Sequence, residues 1–124
     1  MTTVLVADDS RAAREILIAL LRSSNFQVVE ACDGREAKQL IEANRLDLVM
    51  TDVVMPEMNG YELCRWIKQH AALLPVIFCS VKGEAFDRHW GHKQGCDAYI
   101  CKPFESDLVL RTIHQVLQGP GKAS

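Results

Sequence analysis

The chain has 124 residues and a formal net charge of −2. This length is enough for one domain with one hydrophobic core and too short for two. Hydrophobic residues make up 48% and charged residues 24% of the chain, and this balance excludes disordered and fibrous proteins. The charge provides no basic surface for nucleic acid, so we expect no nucleic-acid partner.

The N-terminus and the cysteines indicate a cytoplasmic protein. The start, Met1-Thr2-Thr3, lacks the basic residues and the long apolar stretch of a signal peptide. No apolar run approaches the roughly 20 residues of a membrane span, so we expect no membrane association. The five cysteines form no C-x-x-C pair, which favours reduced thiols packed as small hydrophobic side chains.

Strand and helix patterns alternate along the chain. Short apolar runs, each ending near a polar residue, predict buried strands at residues 4–7, 26–31, 48–51, 76–79 and 98–101. Amphipathic patterns predict helices around residues 13–21, 37–41, 63–67, 84–93 and 109–117. This order predicts an α/β fold, a doubly wound parallel five-stranded sheet with helices on both faces. We expect one domain over residues 1–118 and a flexible tail over 119–124.

Polar side chains follow four of the predicted strands. Asp8 and Asp9 follow the first, Asp52 the third, Ser80 the fourth and Lys102 the fifth. Because ligands bind beyond the carboxyl ends of parallel strands, we expect these side chains to converge. Clustered carboxylates repel one another, and Mg²⁺, which prefers oxygen ligands, would relieve that repulsion. The ammonium and hydroxyl groups complete a set suited to phosphoryl transfer onto a carboxylate.

These residues, with the segment Asp-Val-Val-Met-Pro-Glu-Met-Asn-Gly at 52–60 and Tyr-Ile-Cys-Lys-Pro at 99–103, resemble the response-regulator receiver domain, the CheY-like family. The resemblance covers about residues 3–118 and rests on five separated positions that agree in type and order. It implies the flavodoxin-like (βα)5 fold with strand order 2-1-3-4-5. It also implies a cis bond between Lys102 and Pro103.

The resemblance implies a role for each residue of the site. Asp52 would accept a phosphoryl group from a histidine kinase, and Lys102 would pair with the phosphoryl oxygens. Mg²⁺ would be held by Asp9, Asp52 and the backbone carbonyl of Val54, with Asp8 acting through water. The protein would thus catalyse the transfer of a phosphoryl group onto itself and would not be a turnover enzyme.

The resemblance also implies a switch. Ser80 would close on the phosphoryl group and Tyr99 would change rotamer, which would remodel a docking face formed by the fourth helix, the fifth strand and the last helix. Two residues depart from the commonest receiver pattern. Val81 is bulkier than the usual residue and could narrow access to the site, and Ser80 keeps the hydroxyl of the commoner threonine without its methyl group.

A narrower resemblance links the chain to single-domain receivers of chemosensory systems that steer type IV pilus twitching and phototaxis. It rests on Lys82-Gly83, Asp87, Trp90-Gly91, Gln94-Gly95 and Ala98-Tyr99. It implies a histidine kinase as phosphodonor and a motility or signalling effector as partner. We expect a monomer or weak dimer.

Other interpretations stay open at this point. The chain could be a phosphorylation-independent adaptor with the receiver fold, a small phosphoryl-transfer hydrolase, or a fragment whose output domain follows Ser124. A zinc site at His89, His92, Cys96 and Cys101 has suitable spacing. However, the histidines belong to a predicted helix and Cys101 to a predicted strand, so we favour a basic, exposed helix for docking.

Overall fold

The computed structural model describes residues 1–81, 89–90 and 92–119. The elements in chain order are β1 (Thr3–Ala7), α1 (Arg11–Ser23), β2 (Gln27–Ala31), α2 (Gly34–Ala43), β3 (Leu48–Thr51), α3 (Gly60–His70), β4 (Val76–Ser80), β5 (Ala98–Cys101) and a C-terminal helix (Ser106–Gln118). Most of the predicted fourth helix, 84–93, lies outside the described residues, although residues 89, 90, 92 and 93 are helical. The predicted tail, 119–124, also lies outside them except for Gly119.

The five strands form one parallel sheet in the order β2-β1-β3-β4-β5, which confirms the predicted topology. Successive side chains of a strand point to opposite faces, and helices cover both. Val6 packs with Leu17 of α1 and Ile113 of the C-terminal helix, whereas its neighbour Leu5 packs with Leu63 of α3. The sheet is therefore buried on both faces, as the continuous apolar runs predicted.

The strand bounds differ from the sequence prediction at three positions. β1 begins at Thr3 and not at Val4. β2 begins at Gln27 and not at Phe26, because the Phe26 N–H donates to the carbonyl of Leu21 at 3.0 Å and closes the turn after α1. β4 extends through Ser80, so this hydroxyl is carried by the sheet itself. The Lys102–Pro103 bond is cis, as predicted.

Side-chain caps begin the first three helices. Ser10 caps α1, Asp33 caps α2, and Asn59 forms a capping box with Glu62 at the start of α3. Ser10 directly follows the Asp8-Asp9 pair, so its cap sets the path of the chain where these residues leave the sheet. No helix in the described part of the chain has the length and apolar character needed to cross a membrane.

The five cysteines are free, and three of them are buried. Burial raises the pKa of the Cys64 thiol to about 11 and that of Cys96 to about 12, and it also raises the pKa of Cys79. These thiols stay protonated at neutral pH and pack as apolar side chains, as the sequence predicts for reduced cysteines. Cys101 is only half-buried.

The loop between β3 and α3 lies against two glycines. A Cβ atom on Gly60 would lie 2.1 Å from the carbonyl oxygen of Asp52, and one on Gly34 would lie 2.0 Å from that of Met58. The Gly60 N–H also donates to the carbonyl of Val53 at 2.8 Å. The backbone that follows Asp52 is therefore held by contacts that only glycine permits.

We expect Gly60→Ala to lower the free energy of unfolding by about 3 kcal/mol, since the added methyl group must displace the Asp52 backbone. Gly119→Ala is the matched control, because nothing lies within 4 Å of its Cβ position and only its positive φ of 75° opposes the change, at about 1–2 kcal/mol. Denaturant unfolding measures both. Equal losses in the two variants would contradict the packing argument.

Candidate functional site

The polar residues predicted for the site lie together at the carboxyl edge of the sheet. Asp8 and Asp9 follow β1, Asp52 follows β3, Ser80 is the last residue of β4, and Lys102 follows β5. Oxygen atoms of the three carboxylates all lie within 4.8 Å of one another. The strand order explains this convergence, because β1 and β3 are neighbours in the centre of the sheet.

The Lys102 ammonium group lies between two of these carboxylates. Its Nζ is 2.6 Å from Oδ2 of Asp8 and 2.9 Å from Oδ2 of Asp52. The three side chains are 12%, 6% and 13% exposed respectively, so solvent screens these ion pairs less than pairs at an open surface. The Lys102 N–H in turn donates to the carbonyl of Ser80 at 2.9 Å, which ties the residue to the end of β4.

Each of the two paired carboxylates also accepts a backbone hydrogen bond. Oδ1 of Asp8 accepts from the N–H of Ser10 at 2.9 Å, and Oδ1 of Asp52 accepts from the N–H of Val53 at 2.7 Å. One oxygen of each group is therefore held by the backbone and the other by Lys102. This arrangement fixes the direction of both carboxylates before any ligand binds.

Burial and ion pairing shift the pKa values of Asp8 and Lys102. Burial raises the pKa of the Asp8 carboxyl, and hydrogen bonds from Lys102 and the Ser10 N–H offset only part of the effect. Burial by itself lowers the pKa of Lys102, but the hydrogen bonds and attraction to Asp8 and Asp52 outweigh it, and the pKa lies above its ordinary value. Lys102 is therefore charged at neutral pH, and burial makes the ionised form of Asp8 less favourable than it is in water.

The donor set fits a hard divalent cation. It consists of carboxylate oxygens from Asp8, Asp9 and Asp52, and oxygen is the ligand that Mg²⁺ prefers. Asp9 is exposed, so the cluster has a side open to solvent, where an ion can keep its water ligands. Val54 lies two residues after Asp52, and its carbonyl as a further ligand stays a prediction.

The predicted switch residues lie beside this cluster on the last two strands. Ser80 is buried at the end of β4, and Tyr99 of β5 is 8% exposed. The Tyr99 ring is edge-on to Phe78, with the ring centroids 6.1 Å apart. The tyrosine is thus part of the core in this state. Val81 directly follows Ser80 and is exposed, so its side chain is at the surface.

Arg14, which was not predicted as a site residue, also contacts this cluster: its Nη1 donates to the backbone carbonyl of Asp8 at 2.7 Å. Its Nε also donates to Glu30 of β2 at 3.2 Å. An arginine on the polar side of a predicted helix gives no sign of such contacts. A single sequence shows only that Arg14 lies one helical turn after Ser10.

The response regulator receiver domain model matches residues 4–114, and the chain therefore belongs to the response regulator receiver family of two-component signalling.

Curated relatives include both short and long proteins. Protein PilH from Pseudomonas aeruginosa is 34% identical over 121 residues, which cover 96% of this chain and 100% of PilH. The alkaline phosphatase synthesis transcriptional regulatory protein PhoP from Bacillus subtilis is 32% identical over 115 residues. The match covers 93% of this chain but only 48% of PhoP, so the chain spans about half the length of that relative.

Solved structures agree with the fold. A putative response regulator from Chloroflexus aurantiacus has a TM-score of 0.90 and 31% identity, covering 94% of this chain and 97% of that one. The chemotaxis protein CheY4 of Vibrio cholerae has a TM-score of 0.87 and 28% identity, covering 94% and 98%. The receiver domain of the Pseudomonas aeruginosa sensor histidine kinase PA1611, with a magnesium ion coordinated in its active-site cleft, has a TM-score of 0.83 and 26% identity, covering 94% of each chain.

We expect Asp8→Asn, without Mg²⁺, to raise the free energy of unfolding at pH 7, because it removes a buried charge and keeps the side-chain shape. Since the pKa of Asp8 is raised in the folded protein, lowering the pH through that pKa protonates the wild-type carboxyl and stabilises the wild type relative to the variant. The difference between the two proteins should therefore shrink as the pH falls towards the ordinary value of 3.8.

Denaturant unfolding between pH 4 and pH 7.5 measures this difference. The exposed Glu42, changed to Gln, is the control and should show no comparable gain. An Asp8→Asn protein less stable than wild type at pH 7 would contradict the assignment of an unfavourable buried charge.

Proposed function

We propose that this chain is a stand-alone response regulator of a two-component phosphorelay, which accepts a phosphoryl group from a histidine kinase on Asp52. The observation that carries the proposal is the position of Lys102 Nζ, 2.9 Å from Oδ2 of Asp52 inside a cluster of three carboxylates. A cation beside the acceptor oxygen is where the charge of an arriving phosphoryl group needs compensation.

The proposed transfer moves the phosphoryl group from a phosphohistidine of the kinase to Asp52. A carboxylate oxygen of Asp52 attacks phosphorus of a phosphohistidine, an oxygen–phosphorus bond forms, and the bond from phosphorus to the imidazole nitrogen breaks. Lys102 turns its ammonium group to the phosphoryl oxygens, and the Ser80 hydroxyl donates to one of them. Asp8, Asp9 and Asp52 would hold Mg²⁺, which neutralises charge on the transferred group when it is bound.

The consequence of transfer is a change in the docking face. Tyr99 lies on the same edge strand, β5, that leads into Lys102. If Ser80 moves to the phosphoryl group at the end of the adjacent strand β4, the packing beside Tyr99 changes and the ring can follow. We propose that this alters the surface formed by the segment before β5, β5 and the C-terminal helix, where an effector binds.

We further propose a role in motility or chemosensory signalling. PilH is matched over its whole length, and the narrower motif resemblance includes Trp90, Gln94 and Tyr99 of this chain. The free, mostly buried cysteines accord with a cytoplasmic location. A monomer or weak dimer stays a prediction.

Intact mass after incubation with Mg²⁺ and a small-molecule phosphodonor tests the acceptor. We expect wild type to gain the mass of one phosphoryl group, Asp52→Asn to gain none, and chelation of Mg²⁺ to prevent the gain. Asp107→Asn, an exposed carboxylate on the C-terminal helix, is the matched control and should behave as wild type. A wild type that binds Mg²⁺ but takes no phosphoryl group, even from a purified kinase, would instead support the phosphorylation-independent adaptor.

We expect the exposed side chain of Val81 to restrict the approach of a phosphodonor to Asp52. We expect Val81→Ala to form the phosphoryl adduct severalfold faster than wild type with a small-molecule donor, because the shorter side chain opens the approach to Asp52. Mass spectrometry of samples quenched at successive times measures the rate of adduct formation. The change should leave the free energy of unfolding nearly unaltered, since the side chain is 76% exposed. An unchanged or slower rate would show that Val81 does not restrict the approach.

A further inference from the structure

Arg14 joins three elements close to the acidic cluster. Its side chain is 15% exposed, and a mostly buried guanidinium group requires fixed partners. From α1, Nη1 donates to the carbonyl oxygen of Asp8 at 2.7 Å, and Nε donates to Glu30 Oε2 of β2 at 3.2 Å. One guanidinium group therefore connects the helix, the neighbouring strand and the turn that follows β1.

The bond to Asp8 sets the orientation of the next peptide group. The Asp8 N–H donates to the carbonyl of Ala31 at 3.1 Å, and its carboxylate is held by Ser10 and Lys102. The carbonyl held by Arg14 belongs to the peptide that joins Asp8 to Asp9. Because a peptide group is planar, fixing its oxygen also fixes the direction in which the chain enters Asp9.

Asp9 depends on this orientation more than the other two carboxylates. Its side chain is exposed, whereas Asp8 and Asp52 are held by the Lys102 ion pairs. We propose that Arg14 is a positioning residue for the cation site, which holds the Asp8–Asp9 peptide so that the Asp9 carboxylate faces the other two. This inference rests on the proposed function, in which these carboxylates hold Mg²⁺.

Arg14 acts by orienting the Asp8–Asp9 peptide and not through its charge. Arg14 binds the neutral carbonyl of Asp8, and its own charge is paired with Glu30, which is 56% exposed. A lysine would keep the charge, but its single ammonium group lacks the planar fork that reaches the carbonyl and Glu30 together. Groups that orient metal ligands typically change metal affinity about 10–100-fold when removed.

Calorimetric titration with Mg²⁺ alone tests the inference. We expect Arg14→Met to raise the Kd for Mg²⁺ about tenfold and Arg14→Lys to raise it by less. Arg11→Met is the matched control, because Arg11 lies on the same helix and pairs with Glu15 in an ion pair whose side chains are 82% and 61% exposed. That variant should bind Mg²⁺ as wild type does. Unfolding in the presence of a chelator measures the stability of each protein separately.

The outcomes separate this inference from the proposed function. Arg14→Met that is less stable than wild type but binds Mg²⁺ with the same Kd would show a purely structural role and overturn the inference, leaving the proposed function in place. No Mg²⁺ binding by wild type would overturn both. If Arg14→Met does not fold, Arg14→Lys and Glu30→Gln decide, and an unchanged Kd in both overturns the inference.

Discussion

The ion pairs of Lys102 with Asp8 and Asp52 are the interaction on which the rest of the site depends. Two carboxylates held mostly out of water repel each other, and a cation between them relieves that repulsion. Lys102 Nζ meets one oxygen of each, at 2.6 and 2.9 Å. The same position would suit the charge of a phosphoryl group, so in the proposed transfer Lys102 both compensates the carboxylates and meets the transferred group.

The order of strands makes this arrangement possible. β1 and β3 are adjacent and deliver the carboxylates, whereas β5 lies beyond β4 and delivers the lysine. A long side chain is needed to cross β4, and Lys102 has that length. Ser80, the last residue of the intervening strand, accepts a hydrogen bond from the Lys102 N–H at its carbonyl. The strand order thus places the two carboxylates side by side and the lysine within the length of its side chain.

Much of this could be predicted from the sequence because the site residues directly follow continuous apolar runs. Asp8, Asp52 and Lys102 each come immediately after a buried strand, and parallel topology brings such positions to one edge. Contacts that depend on how a helix or loop lies against the sheet could not be predicted. The Arg14 bond depends on how α1 lies over β1 and β2, and the space at Gly60 depends on the path of the Asp52 backbone. The apolar side chain of Phe26 suits both a strand and a turn packed on the core, so the sequence alone could not exclude it from β2.

The most direct test of the account is the identity of the residue that carries the phosphoryl group. Borohydride reduces an aspartyl phosphate to homoserine, so trapping the adduct and sequencing its peptides by tandem mass spectrometry marks the acceptor. The account predicts homoserine at position 52 and an unmodified carboxylate at Asp8 and Asp9. Homoserine at either of those positions, or phosphate on a histidine with Asp52 intact, would contradict it.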